Sequence, residues 1–183
     1  DSGKVYRSTD NGGTFALQAL AGLPVLRAVT MPVANRAYIA GDAGTLLRSD
    51  DGGATWAAQV SGTGVALNAL AFTDADHGWA AGAGGTLLKT TDGGANWVPA
   101  TSGTTNDLFT VAQNGNSVWV GGAGATCLVS TTGDAPFTPY NLRADYGPDV
   151  RAIALASPTD VWVAGGGGFV RRSQNGGSTW SFP

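Results

Sequence analysis

Leu67 to Trp97 reads LNALAFTDADHGWAAGAGGTLLKTTDGGANW. It opens on six residues that alternate and are rich in β-formers. It turns at Thr73-Asp74-Ala75-Asp76, resumes at Trp79, breaks at Gly82-Ala83-Gly84-Gly85, resumes at Thr86-Leu87-Leu88-Lys89 and closes on TTDGGANW. Short alternating runs separated by glycine-rich turns predict strands joined by tight hairpins, where positive φ carries no Cβ penalty. A further strand follows the closing aromatic. The stretch therefore predicts four antiparallel strands in about 41 residues.

The pattern repeats along the chain. Segments matching TTDGGANW occur at Ser8–Phe15 (STDNGGTF), Ser49–Trp56 (SDDGGATW), Ser130–Phe137 (STTGDAPF) and Ser173–Trp180 (SQNGGSTW). Their terminal aromatics fall at 15, 56, 97, 137 and 180, in steps of 41, 41, 40 and 43. A second ladder, Tyr38, Trp79, Trp119 and Trp162, keeps the same spacing. So does a third, the opening segments LRAVTM from Leu26, LNALAF from Leu67, LFTVAQ from Leu108 and VRAIAL from Val150. Four strands per 40–45 residues is the blade of a β-propeller. The expectation is an all-β propeller of four-stranded antiparallel blades with Asp-box turns, about four and a half of them present in one domain, or a fragment of one, spanning 1–183. These comprise a half blade at 1–20 and blades at 26–62, 67–103, 108–143 and 150–183. Trp79, Trp119 and Trp162 are expected to be buried, and the two strands that would complete the half blade to come from further polypeptide or from another subunit.

Composition agrees with an all-β chain. Glycine occurs 29 times, the apolar fraction is 43%, glutamate is absent, and lysine occurs only at Lys4 and Lys89. Exposed helix positions normally draw on those missing residues. A net charge of −3 gives no footprint for nucleic acid, and the longest uncharged stretches are broken every few residues by Gly, Thr, Ser or Pro, so none reads as a transmembrane helix of about 20 apolar residues. Cys127 is the lone cysteine, so it forms neither an intrachain disulfide nor a thiolate metal site.

In each box the acidic or amide residue, Asp10, Asp51, Asp92 and Asn175, is expected to accept hydrogen bonds from the turn's own N–H groups. Trp56, Trp97 and Trp180 are expected to pack against neighbouring blades. The fourth box has Thr132 for the acid, Asp134 for a glycine and Pro136-Phe137 at its close, so a different turn is expected there. One or two carboxylates per box fall short of a calcium shell. Neither metal nor cofactor is expected.

Over Leu26–Trp56, Leu67–Trp97 and Val150–Trp180 the repeat resembles that of photosystem II stability/assembly factor-like proteins. Through its Asp-box it also resembles the wider BNR and sialidase-type propellers. That resemblance implies a secreted, periplasmic or lumenal, non-catalytic propeller that helps assemble or stabilise a membrane-protein complex, and an arginine-rich surface for partner contact. It leaves open a carbohydrate-binding or glycoside-hydrolase-like propeller. A sialidase-type site would need a Tyr–Glu pair, which a chain without glutamate does not have. The acidic pairs Asp50-Asp51 and Asp74/Asp76 lie in turns, and His77, the only histidine, lies beside the second.

The expected function is thus that of a protein-binding scaffold. The residue before each box Ser or Thr is Arg7, Arg48, Lys89, Val129 and Arg172 in turn, so four cations occupy equivalent positions. Arg27 and Arg151 stand on the opening strands where Asn68 and Phe109 stand in the other two blades. With Arg143, Tyr140 and Tyr146 in the irregular loop 136–148, these are the candidate partner-binding residues, since Arg and Tyr are enriched at binding hot spots.

Overall fold

The computed structural model describes residues 3–18, 20, 22–140, 142 and 148–181. Alternation in the opening segments produces strands whose backbone partners lie just downstream, so every sheet is a local antiparallel meander. Strands β1 (Tyr6–Arg7) and β2 (Ala16–Leu17) form a two-stranded sheet. Three four-stranded sheets follow, each in sequential order. The first comprises β3 (Leu26–Val33), β4 (Arg36–Gly41), β5 (Leu46–Ser49) and β6 (Ala57–Ala58). The second comprises β7 (Leu67–Phe72), β8 (Gly78–Gly82), β9 (Leu87–Thr90) and β10 (Val98–Pro99). The third comprises β11 (Leu108–Asn114), β12 (Ser117–Gly122), β13 (Cys127–Ser130) and β14 (Thr138–Pro139). The last sheet comprises β15 (Val150–Leu155), β16 (Val161–Gly165) and β17 (Val170–Ser173), and among the described residues a bridge between Arg172 and Ser181 lies at the place of a fourth strand. These are propeller blades. Their opening strands β3, β7, β11 and β15 stand side by side.

The glycine runs turn the second strand into the third. The turn uses two residues at positive φ, Ala43 and Gly44 in the first full blade, Gly84 and Gly85 in the second. Its amides are not wasted: Gly84 N donates to the Asp107 carboxylate at 2.8 Å and Gly124 N to Asp149 at 3.2 Å, each tying a turn to the blade that follows.

Between blades lie the apolar cores. Ala40, Leu46 and Ala28 of the first full blade meet Leu67, Leu70 and Trp97 of the second. Trp79, Ala81 and Leu87 meet Leu108, Val111 and Phe137. Trp119 and Cys127 meet Val150, Ile153 and Trp180. The second-strand aromatic of one blade thus seats against the box aromatic of the next: Trp79 is edge-on to Phe137 at 5.4 Å and Trp119 to Trp180 at 5.9 Å. Tyr38, Trp79 and Trp119 are all buried. Trp162, expected to be buried with them, is only half-buried, because among the described residues no following blade covers it.

The boxes are local staples. Asp51 accepts from the amides of Ala54 and Thr55 at 2.9 and 2.8 Å and from the hydroxyls of Thr55 and Ser49 at 2.6 and 2.8 Å. Asp10 and Asp92 repeat this with Thr14 and Asn96. Asn175 does the same without charge, taking the Thr179 amide on Oδ1 and donating from Nδ2 to the Thr179 hydroxyl. In the fourth box Ser130 donates instead to the backbone carbonyl of Asp134 at 2.5 Å, the different turn that its sequence predicts.

The Thr14 hydroxyl and amide, with the Ser8 hydroxyl, hold the Asp10 carboxyl at about 2 against an ordinary value of 3.8. Thr55, through hydroxyl and amide, holds Asp51 lower still. A carboxylate with a folded pKa below its unfolded one stabilises the fold above the unfolded value and ceases to do so as pH falls through the folded one. Stability is therefore expected to be flat above about pH 4 and to fall between about 4 and 2. Because Asn175 closes its box as a neutral group, Asp10→Asn with Asp51→Asn should flatten that acid branch, as followed by circular dichroism during acid titration. An unchanged acid branch would remove these carboxylates from the acid response.

Candidate functional site

Each opening strand places its second residue at the same height, so Arg27, Asn68, Phe109 and Arg151 converge at one end of the channel between the blades. With Val25 and Leu26 they line an open depression of about 420 Å³. The four positions carry three side-chain chemistries, whereas the second-strand aromatics and the box glycines recur nearly unchanged. Arg27 Nε lies 2.5 Å from the Asp42 carboxylate, and Arg151 Nη2 lies 2.7 Å from Asp149. The Arg151 guanidinium also sits 5.0 Å over the Phe109 ring. Asn68 Nδ2 donates to the Leu108 carbonyl at 2.8 Å. Both arginine side chains remain open to solvent, 43% and 63% exposed. The hydrogen bond that Arg27 donates to Asp42 raises its pKa further, so the cation is permanent.

Two fixed guanidinium forks beside an aromatic face offer directional donors to a carboxylate or peptide carbonyl and a flat surface for an apolar group. Asp42 and Asp149 neutralise the two forks locally.

The cations before the boxes are placed elsewhere. Arg48 Nη1 donates to the Gly93 carbonyl of the next box at 2.8 Å and pairs with Asp50. Lys89 Nζ donates to Gly133 at 2.9 Å and pairs with Asp134 at 3.0 Å. Arg172 makes a two-pronged bond to Asp160 and lies 5.1 Å over Trp162. These side chains tie blades and strands together. Arg36 belongs to the same network, bonding Asp50 at 2.9 Å and the Ala75 carbonyl at 3.1 Å. Tyr140 packs on Trp119 at 5.4 Å and on Trp180 at 5.8 Å, inside an inter-blade core. Arg143 and Tyr146 lie outside the described residues.

Both acidic pairs are engaged in turns. Asp50 holds Arg36 and Arg48, and Asp51 closes its box. Asp74 caps the amides of Asp76 and His77, which depress its pKa to about 2, and contacts the His77 ring at 2.9 Å. Cys127 is buried, and desolvation pushes its thiol up to about 12. Among the described residues no three His, Cys, Asp or Glu side chains gather as a metal site.

The box hydroxyl is a residue that sequence reasoning passed over. Ser49, Thr90 and Ser173 are buried, and each accepts an amide four residues on, at 2.7–2.8 Å. Its signal was present in the sequence, since all five boxes begin with Ser or Thr.

Residues 63–145 match the family model described as Photosynthesis system II assembly factor YCF48. The segment read first, Leu67 to Trp97, lies wholly inside that match. YCF48 bound to a D1 peptide superposes with a TM-score of 0.71 at 22% identity, over 97% of this chain and 60% of that one. YCF48 from Cyanidioschyzon merolae gives 0.73 at 21%, over 97% and 65%. An ancestral GH74 enzyme gives 0.78 at 19%, over 96% of this chain and 28% of the enzyme. The chain thus spans about three fifths to two thirds of the length of the two YCF48 chains. At these identities the superpositions speak for the propeller fold. Among whole curated sequences, nothing matches the chain.

Proposed function

We propose that the chain is a non-catalytic propeller that binds another protein through the channel mouth formed by Arg27, Asn68, Phe109 and Arg151, acting outside the cytoplasm on a membrane-protein complex or surface assembly. The observation that carries this reading is the convergence of four equivalent side chains of three kinds, two of them exposed guanidinium groups, on a fold whose box acids, turn glycines and ladder aromatics have structural tasks. The match to the YCF48 family model over residues 63–145 and a YCF48 relative bound to a D1 peptide support a protein partner. The carbohydrate reading has the likeness to GH74 enzymes in its favour, but the acidic pairs that would serve it are held in turns.

Affinity capture from native membranes followed by mass spectrometry tests the reading. Arg27→Glu with Arg151→Glu is expected to abolish capture of the partner that the wild type enriches. The unfolding midpoint should hold, because exposed ion pairs such as those to Asp42 and Asp149 contribute only about 0–1 kcal/mol each. Retained capture would remove these residues from the interface, and turnover of a glycoside by the wild type would overturn the non-enzymatic assignment.

A further inference from the structure

Three asparagines of the chain precede a glycine: Asn11, Asn114 and Asn175. In such a pair the glycine's backbone nitrogen can attack the side-chain amide of the asparagine before it, because no Cβ shields the approach. In a folded chain the rate depends on whether that nitrogen and the side chain are free to meet. The fold treats the three pairs differently.

Asn175 is locked into its box. Its Oδ1 accepts the Thr179 amide at 2.8 Å and the Ser173 hydroxyl at 2.9 Å, its Nδ2 donates to the Thr179 hydroxyl at 2.8 Å, and the Gly176 amide donates to the Thr159 carbonyl at 2.8 Å. Beside Asn11, the Gly12 amide is held by the Ser8 hydroxyl at 2.8 Å. Asn114 differs from both. It ends β11 opposite Ser117, and the turn that follows, Gly115-Asn116, is exposed, with Gly115 at φ +56°. Among the described residues nothing bonds the Asn114 side chain or the Gly115 amide, since Gln113 Nε2 holds the Gly115 carbonyl, one peptide further on, at 3.0 Å. The turn is also released from its box. In the first, second and fourth full blades a box glycine pins the loop between the first two strands: Gly52 N donates to the Asn35 carbonyl at 2.7 Å, Gly93 N to Asp76 at 2.9 Å and Gly176 N to Thr159 at 2.8 Å. Among the described residues Gly133, in the irregular box of the third full blade, makes no such bond.

We propose that Asn114 is a site of spontaneous covalent modification, the one of the three pairs that the fold leaves open to it. The Gly115 nitrogen gives up its proton to solvent base and attacks Asn114 Cγ. The Cγ–Nδ2 bond breaks, ammonia leaves, and a five-membered succinimide closes between the two residues. Water then opens that ring at either carbonyl, leaving aspartate or isoaspartate at position 114. One water enters and one ammonia departs, with no oxidation or reduction. Both products put a negative charge on the tip of the third full blade, and isoaspartate also adds a main-chain carbon to one arm of the β11–β12 hairpin. Since β11 starts with Leu108-Phe109 at the channel mouth and ends here, the site lies at the other end of the strand from Phe109 and is independent of Arg27 and Arg151.

The test is incubation of the folded 183-residue chain in mildly alkaline buffer. Conversion at each asparagine is followed by peptide mapping and mass spectrometry, and labelling by an isoaspartyl methyltransferase separates isoaspartate from aspartate. Asn114 is expected to convert about tenfold or more faster than Asn175, because the attack geometry breaks several hydrogen bonds at Asn175 and none at Asn114. The rate should rise with pH, since the attacking nitrogen must first lose its proton. In urea the rates at Asn11, Asn114 and Asn175 should converge. Thr179→Ala, which takes away the acceptor for Asn175 Nδ2, should speed conversion at Asn175 and leave Asn114 unaffected, while Asn114→Gln should remove the product from the β11–β12 hairpin at an unchanged thermal midpoint. A folded-state rate at Asn114 no higher than that at Asn175, or the same spread of rates in urea as in the folded chain, would overturn the proposal.

Discussion

Alanine in place of Trp119 is expected to destabilise the chain by about 3–5 kcal/mol, the range for deleting a large buried aromatic. The indole is fully buried, its Nε1 donates to the Ser117 hydroxyl at 3.1 Å, and its ring meets Tyr140 and Trp180 at 5.4 and 5.9 Å. The neighbouring Gly177 has no side chain to move into the space. The cavity therefore spans the contact between two blades whose backbones are fixed by their own sheets, and it collapses poorly. Trp162→Ala, at the equivalent but half-covered position, should cost distinctly less. Urea denaturation of both variants checks the pair, and a loss below about 1 kcal/mol for Trp119→Ala would contradict its place in the core.

Gly85→Ala is expected to be nearly as damaging, by about 3 kcal/mol, although it adds one methyl group. Gly85 has φ +73°, and a Cβ there would stand 1.9 Å from the Thr104 carbonyl oxygen and 2.8 Å from its carbon. Backbone on both sides leaves no rotamer to absorb the clash. Left-handed alanine is not in itself prohibitive, since Ala43 and Ala125 adopt φ of 54° and 58° in the same turns of other blades. Gly84→Ala, at φ +62° with nothing within 4 Å of its Cβ, is the control and should cost only about 1 kcal/mol. Equal thermal midpoints for the two variants would show that Thr104 yields.

The three ladders made the fold legible because a blade is a local object: its strands pair with their sequence neighbours, and the task of Asp92 recurs at Asp10, Asp51 and Asn175 as that of Trp79 recurs at Tyr38 and Trp119. The opening-strand positions were legible as a set for the same reason. What Arg48 and Lys89 do was not, because their partners Gly93 and Gly133 belong to the following repeat, more than 40 residues on. A cation on a strand reads alike whether it faces solvent or crosses a blade gap. The packing of Tyr140 was not legible either, since its ring meets Trp119 and Trp180, which no local pattern connects to it. Among the described residues no following blade packs on Trp162, so its ring is partly exposed while Trp79 and Trp119 are buried.

The hydrogen bonds of the Asp51 box all close within four residues of the chain. Loops this short form in tens of nanoseconds, without waiting for any distant segment to arrive. Each box thus offers a preformed bend around which its third and fourth strands meet, and docking between adjacent blades then proceeds from any of several starting points along the array. The slow step of folding in such a chain is the mating of one blade against the next, and a lesion in a single box delays its own blade while the others mature.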